Sequence, residues 1–150
     1  LHLMIGLPRS GKSTIARKMS RTYHWPIVCP DEIRLALHGQ KFAREAEPFV
    51  GAIAHVMVRA LFMAGHEDVI LDACNGSRER REEWYSPDWE REFIVVDTPE
   101  DLCQARADET IKPVITRMAA QWEAPDATEG ATITVQAGYY REIDLSGEGD

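Results

Sequence analysis

The residues best suited to chemistry stand near the start of the chain, where glycine, lysine and serine recur at a fixed spacing. The stretch Gly6-Leu7-Pro8-Arg9-Ser10-Gly11-Lys12-Ser13 fits the pattern G-x-x-x-x-G-K-[ST]. It follows an apolar run at 3–5 and precedes a helix-competent segment. In such a loop, backbone N–H groups converge on phosphate oxygens and the following helix adds its positive N-terminal end. The sequence therefore predicts a phosphate-binding loop.

The residue types of this loop suit the binding of phosphate and Mg²⁺. Gly6 and Gly11 allow backbone angles and a close approach that a Cβ would obstruct. Lys12 brings a mobile positive charge to the phosphates, and the Ser13 hydroxyl is placed to ligate the Mg²⁺ that accompanies a nucleoside triphosphate. The pattern predicts ATP and Mg²⁺ as cofactors and a nucleotide site formed by Gly6, Arg9, Ser10, Gly11, Lys12, Ser13 and Thr14.

The elements around the loop alternate short apolar segments with helices. The longest amphipathic pattern predicts a helix over 47–63, with Gly65 as its stop. The apolar segments are continuous, as parallel strands covered on both faces require. This rhythm predicts an α/β fold, in three layers with a central parallel sheet of about four to five strands. The predicted strands lie at 3–5, 26–29, 69–72, 93–97 and 131–135.

Carboxylates stand at or just after the ends of three predicted strands, as Asp31, Asp72 and Asp97. Because the carboxyl ends of parallel strands share one rim, we expect these side chains to gather near the phosphate loop. Asp31 can orient and deprotonate a hydroxyl acceptor, and Arg34, one turn later, can grip an anionic acceptor. Asp72 can orient Mg²⁺ or its waters. Asp31 and Asp72 can also act as helix or turn caps.

Length, charge and cysteine usage limit the possible classes of protein. The chain has 150 residues, enough for one domain, and a formal net charge of −8, which disfavours a broad basic surface for long nucleic acids. Its three cysteines are far apart and lack zinc-site spacing, as in a reduced intracellular protein. No apolar run approaches the roughly 20 residues that a bilayer requires, so we expect a cytoplasmic protein without membrane partners.

In their order along the chain, these motifs resemble those of polynucleotide 5′-kinases of the phage and bacterial end-healing type, in the adenylate-kinase-like branch of P-loop phosphotransferases. The loop motif alone is shared by many enzymes, whereas the ordered set is more specific. Relatives with this set nevertheless include kinases whose acceptors are not nucleic acids. The resemblance spans nearly the whole chain and rests on G-L-P-R-S-G-K-S-T at 6–14, D-E-I-R at 31–34, L-D-A-C-N-G-S-R-E-R-R at 71–81, V-D-T-P at 96–99, Arg106, V-I-T-R-M at 114–118, E-A-P at 123–125 and Glu129-Gly130.

The resemblance implies roles on the acceptor side of the site. It makes Asp31 the general base and Arg34 the residue that holds a phosphate of the acceptor strand. Asn75 and Arg78 match a family segment that lines the acceptor, and we expect most of the charges of 78–81 to lie on a solvated helix face.

The resemblance also implies a short helical lid over the nucleotide, at about 106–118. The family commonly presents two arginines, four residues apart, that neutralise charge developing on the phosphates. Arg106 matches the first, but Thr110 stands at the second position. Either Lys112 or Arg117 supplies the positive charge that Thr110 lacks, or the turnover of the enzyme is weak. Arg9 is a second departure, since relatives usually have glycine there; it either adds a phosphate contact or strains the turn.

The leading hypothesis is an ATP-dependent kinase that phosphorylates the 5′-hydroxyl ends of DNA or RNA, as in nucleic acid repair, with Lys12, Asp31 and Arg106 as catalytic residues. We expect one kinase domain over 1–145 and a disordered tail at 146–150. The oligomeric state is left open. The alternatives are a kinase for a small hydroxylated acceptor, such as a nucleoside, sugar or antibiotic, and a nucleotide-dependent binding module.

Overall fold

The computed structural model describes residues 1–40 and 44–136, and a five-stranded sheet runs through its centre. Every pair of neighbouring strands is parallel, and their order is β2-β3-β1-β4-β5. This confirms the predicted α/β fold with a central parallel sheet. The strands are β1 (His2–Ile5), β2 (Ile27–Val28), β3 (Ile70–Leu71), β4 (Glu92–Asp97) and β5 (Ala131–Gln136).

Helices follow the strands and cover the sheet. The helix predicted over 47–63 has those bounds, and the turn after it contains Gly65 at a φ of 98°. Gly39 ends α2: it has a φ of 68°, and its N–H donates to the Leu35 carbonyl. The helices are α1 (Lys12–Tyr23), α2 (Pro30–His38), α3 (Glu47–Met63), α4 (Arg78–Glu82), α5 (Glu100–Ala105) and α6 (Lys112–Ala120), with a 3₁₀ turn at Arg44–Ala46.

The core consists of two apolar clusters, one on each face of the sheet. Alternate side chains of β1 divide between them: Leu3 and Ile5 enter the cluster that includes α3, whereas Met4 enters the cluster that includes α1. All three side chains are fully buried. Since β1 lies between β3 and β4 and is covered on both faces, its carboxyl end is a fixed point from which the phosphate loop starts.

One segment is more apolar than expected from the sequence. Arg44–Met63 has 20 residues, and an 18-residue window within it has a mean hydropathy of 1.4, so by length and composition alone it could cross a membrane, which corrects the expectation above. One side of α3 nevertheless packs into the core through Val50, Ala54 and Val58. A core helix passes the same test, so the segment is weak evidence for a membrane span. The cytoplasmic location stays a prediction.

Arg81 is an exception to the solvated helix face expected for most charges of 78–81. Its side chain is fully buried, and it donates to both carboxylate oxygens of Glu129, at 2.8 and 3.0 Å. It also donates to the Asn75 and Glu123 carbonyls. The hydrogen bonds from Arg81 to the Glu129 carboxylate are the main cause of a lowered pKa at Glu129. This ion pair connects α4 to the segment that leads into β5, although the two residues are 48 positions apart in the sequence.

The domain boundaries expected from the sequence are partly outside the described residues. The proposed tail at 146–150 and the end of the domain at 145 both lie beyond residue 136. They stay predictions.

Arg81→Met should destabilise the fold by about 3–5 kcal/mol, because it leaves the Glu129 carboxylate buried without its partner. The measurement is the free energy of unfolding in denaturant. Arg80→Met is the matched control: Arg80 is the next residue of α4, its side chain is 68% exposed, and its loss should cost under about 1 kcal/mol. Equal losses for the two variants would contradict a structural role for the buried pair.

Candidate active site

The phosphate loop joins β1 to α1 in a tightly packed turn. A Cβ at Gly6 would lie 2.7 Å from Ser10 Oγ and 3.1 Å from the Val96 carbonyl oxygen, so no larger residue fits without a shift. Gly11, the N-cap of α1, has a φ of 102°, a conformation that side chains rarely adopt. Both glycines are therefore required for the reasons that the sequence predicts.

The amino end of α1 is arranged for an anion. No side chain caps its first turn, which leaves the N-terminal N–H groups and the helix dipole available to a phosphate. The Lys12 side chain is buried and its Nζ donates to the Leu7 carbonyl at 2.7 Å, so the ammonium lies over the loop. Ser13 is half-buried and Thr14 is exposed at the start of the same helix. These features fit a nucleotide's phosphates.

Arg9 and Arg106 connect the phosphate loop to the lid region. Arg106 donates from Nη1 to the Arg9 carbonyl at 3.3 Å, and the Arg9 guanidinium lies 3.6 Å from the Asp108 carboxylate. Arg9 has a φ of 67°, in the left-handed region that favours glycine. The structure thus brings the predicted lid arginine against the loop and directs the Arg9 side chain toward the lid.

Of the two lid residues expected to compensate for Thr110, Lys112 is engaged by another residue of the lid. Thr110 forms the turn before α6, because its N–H and hydroxyl both donate to Asp108. The hydroxyl contact is the main cause of a lowered pKa at Asp108. Lys112 forms an ion pair with Glu109, and Arg117 is exposed on α6.

Thr98, which sequence reasoning did not assign to the site, supports the loop. Its hydroxyl donates to the Ser10 carbonyl at 2.8 Å, which links the loop to the residue that follows β4. The thiol of Cys103 lies nearby, 3.7 Å from the Thr98 carbonyl oxygen. Burial raises the pKa of this thiol, while the charges of Lys12 and Arg106 lower it. The charges of Lys12 and Arg106 therefore both influence the region around Cys103, beside the phosphate loop.

Asp31 and Arg34 lie on one face of α2, as their spacing predicts. Arg34 Nη1 donates to Asp31 Oδ1. The Asp31 side chain is 69% exposed, so its carboxylate faces solvent, where an acceptor can reach it. A residue that the sequence analysis did not identify, Glu47, engages the rest of the guanidinium: its two oxygens accept from Nε at 2.6 Å and Nη2 at 2.7 Å. These contacts raise the pKa of Arg34, with the Glu47 hydrogen bond as the main cause.

Asp31 and Asp72 both approach the thiol of Cys29, at the carboxyl end of β2. The pKa of Cys29 is raised to about 11, mainly by burial and also by the charges of Asp72 and Asp31. Cys29 is therefore a neutral thiol at physiological pH. Asp72 itself is buried directly after β3. The shared neighbour supports the expectation that these strand ends meet at one rim.

The residues proposed for Mg²⁺ supply oxygen atoms. Among residues 1–40 and 44–136, no group of three or more His, Cys, Asp or Glu side chains is placed to hold a metal ion. Ser13 and Asp72 provide a hydroxyl and a carboxylate, which suit Mg²⁺ because it is usually held by one or two protein oxygens together with phosphates and waters. The donor set therefore fits an ion that arrives with a nucleotide.

The predicted acceptor residues of the 71–81 motif have protein partners. Asn75 is buried, has a φ of 47°, and donates from Nδ2 to the Met4 carbonyl at 3.0 Å, so it supports the rim beside β1. Arg78 is half exposed and lies 3.2 Å from the Asp126 carboxylate. Their contact with an acceptor stays a prediction.

Comparison with known proteins agrees with this geometry. Residues 1–113 match the model of the family AAA_33, described as an AAA domain. Among curated proteins, the transcription factor bHLH140 of Arabidopsis thaliana is 30% identical over 110 residues, a match that covers 70% of this chain and 11% of that protein. The chain thus spans about a tenth of the length of this relative.

Solved structures show the same fold. A sugar kinase from Janibacter sp. HTCC2649 is 19% identical, with 91% of this chain and 84% of that chain covered and a TM-score of 0.66. A chain of the Pnkp1/Rnl/Hen1 RNA repair complex is 27% identical, with 80% of this chain and 42% of that chain covered and a TM-score of 0.70. A gluconokinase from Sinorhizobium meliloti 1021 is 18% identical, covers 91% and 82% of the two chains and has a TM-score of 0.58.

Lys12→Ala should abolish ATP binding, because it removes the ammonium held over the phosphate loop. Isothermal titration calorimetry with ATP and Mg²⁺ measures this loss. Arg17→Ala, an exposed position on the same helix, removes the same charge and should bind ATP like the parent. ATP binding at the parent affinity by folded Lys12→Ala would contradict the assignment of the phosphate site.

Proposed function

The chain belongs to the AAA_33 family of AAA domains and has the fold of P-loop kinases, and from this premise we propose that it transfers the γ-phosphate of ATP to the 5′-hydroxyl ends of DNA or RNA. The observation that carries the proposal is the Asp31–Arg34 pair at the carboxyl rim of the sheet, on the helix that follows β2. The pair combines a solvent-facing carboxylate with a cation that suits a phosphorylated acceptor. The 27% identity to a chain of an RNA repair complex supports this acceptor class.

In this proposal Asp31 acts on the attacking group. Its exposed carboxylate accepts the proton of the acceptor hydroxyl as the bond to phosphorus forms. Arg34 fixes the orientation of that carboxylate through its Nη1 contact.

Lys12 and Arg106 act on the transferred group. Both are cations beside the phosphate loop, where they neutralise charge that spreads over the phosphate oxygens as the bond to the leaving group breaks. Bound Mg²⁺ would supply further charge neutralisation between the phosphates, held by Ser13 and oriented by Asp72. The N–H groups of the first turn of α1 hold the phosphates that remain.

A small hydroxylated acceptor is the second candidate, and a specific observation favours it. Arg34, the cation assigned to an acceptor phosphate, already contacts two carboxylates. The net charge of −8 also disfavours a polyanionic acceptor. Sugar kinases are among the structural neighbours, at identities that show the fold alone.

The acceptor class is tested by measuring phosphate transfer from radiolabelled ATP to a panel of acceptors. The panel contains oligonucleotides with a 5′-hydroxyl, the same oligonucleotides with a 5′-phosphate, nucleosides and sugars. The proposal expects label on the 5′-hydroxyl oligonucleotides and none on the 5′-phosphorylated ones. Label on nucleosides or sugars alone would favour the second candidate, and ATP loss that no acceptor stimulates would contradict both.

Asp31→Asn should lower kcat by about 10²–10⁴-fold, because a positioned general base contributes that much to a proton transfer. ATP affinity and melting temperature should change little, since the substitution keeps the side chain's size. Glu32→Gln is the control: Glu32 is exposed in the same turn of α2 and should leave kcat at the parent value. If kcat of Asp31→Asn stays within a few-fold of the parent, Asp31 is not the base. The alternative role as a helix cap is already wrong, since the N-cap residue of α2 is Cys29 and no side chain caps this helix.

A further inference from the structure

All three nitrogen atoms of the Arg34 guanidinium have carboxylate partners. Nη1 donates to Asp31, and Nε and Nη2 donate in parallel to the two oxygens of Glu47. This bidentate contact is the arrangement in which a guanidinium binds a phosphate or carboxylate group most strongly. Glu47 therefore occupies the edge of Arg34 that matches two phosphate oxygens.

The charge around Arg34 is negative in sum, because one guanidinium faces two carboxylates. The Arg34 side chain is 16% exposed and that of Glu47 is 32% exposed, so solvent screens this pair less than a surface ion pair. A phosphate brought to Arg34 while Glu47 remains would add a further negative charge at short range. The acceptor and Glu47 are thus alternatives at the same edge.

We propose that Glu47 is a specificity-determining residue that holds the place of an acceptor phosphate on Arg34. This inference rests on the proposed function, in which Arg34 faces the acceptor. A phosphate-bearing acceptor binds by displacing the Glu47 carboxylate, whereas an acceptor without a phosphate binds beside an intact Arg34–Glu47 pair. Glu47 thereby lowers the affinity for phosphorylated acceptors and leaves the affinity for neutral ones unchanged.

The position of Glu47 in the fold agrees with such an exchange. Glu47 is the first residue of α3, and the helix's buried contacts begin farther along, at Val50. Its carboxylate can leave Arg34 without unpacking α3 from the core. Asp31 is the less suitable group to displace, because it makes one contact to Arg34 through Nη1 and is the carboxylate assigned to the chemistry.

The inference is tested with a nucleoside 3′-monophosphate and the matching nucleoside as probes, by calorimetric binding without ATP. Glu47→Gln should bind the monophosphate on the order of tenfold more tightly than the parent, because the competing charge is gone. Its affinity for the nucleoside should not change. In Arg34→Ala/Glu47→Gln the gain should disappear. Glu47→Asp, whose shorter side chain keeps the charge, should give a smaller gain.

Glu45→Gln is the matched control for net charge. Glu45 is exposed in the 3₁₀ turn before α3, so its removal changes the charge of the chain equally and should leave both affinities at parent values. Equal affinity of the parent and folded Glu47→Gln for the monophosphate overturns the inference, as does a gain that survives Arg34→Ala. A binding gain without phosphate transfer in any variant keeps the inference and overturns the proposed kinase activity.

Discussion

The close approach of backbone at Gly6 is the constraint on which the site depends. Because Gly6 lacks a Cβ, the chain leaving β1 packs against the Val96 carbonyl and Ser10. The Thr98 hydroxyl then holds the Ser10 carbonyl from the end of β4. These contacts fix the loop to two adjacent strands in the middle of the sheet. The amino end of α1 and the ammonium of Lys12 are aimed by that fixed loop.

Local features of the structure could be predicted from the sequence because nearby residues determine them. The bounds of α3 follow from apolar residues at helical spacing, and Gly39 ends α2 as its residue type indicates. The phosphate loop follows from one spaced motif, and the pairing of Asp31 with Arg34 follows from three-residue spacing. Each of these features depends on residues that lie close together in the sequence.

Contacts between distant residues were not predictable from one sequence. Arg81 belongs to a charged run that favours a solvated face, and its partner Glu129 is 48 positions away. Glu47 reaches Arg34 across 13 positions, from the start of another helix. In each case a local pattern specified the helix but not its neighbour. Burial and charge pairing depend on how helices pack, which one sequence does not specify residue by residue.

Arg9 couples the loop and the lid in both directions, since its carbonyl accepts from Arg106 and its guanidinium faces Asp108. The turn before α6, which Asp108 caps, is therefore tied to the phosphate loop through one residue. We expect the two joined segments to open together in native-state hydrogen exchange. Backbone amides of the loop and of the 108–111 turn would then exchange with a common opening free energy, and a ligand that closes either segment would protect both.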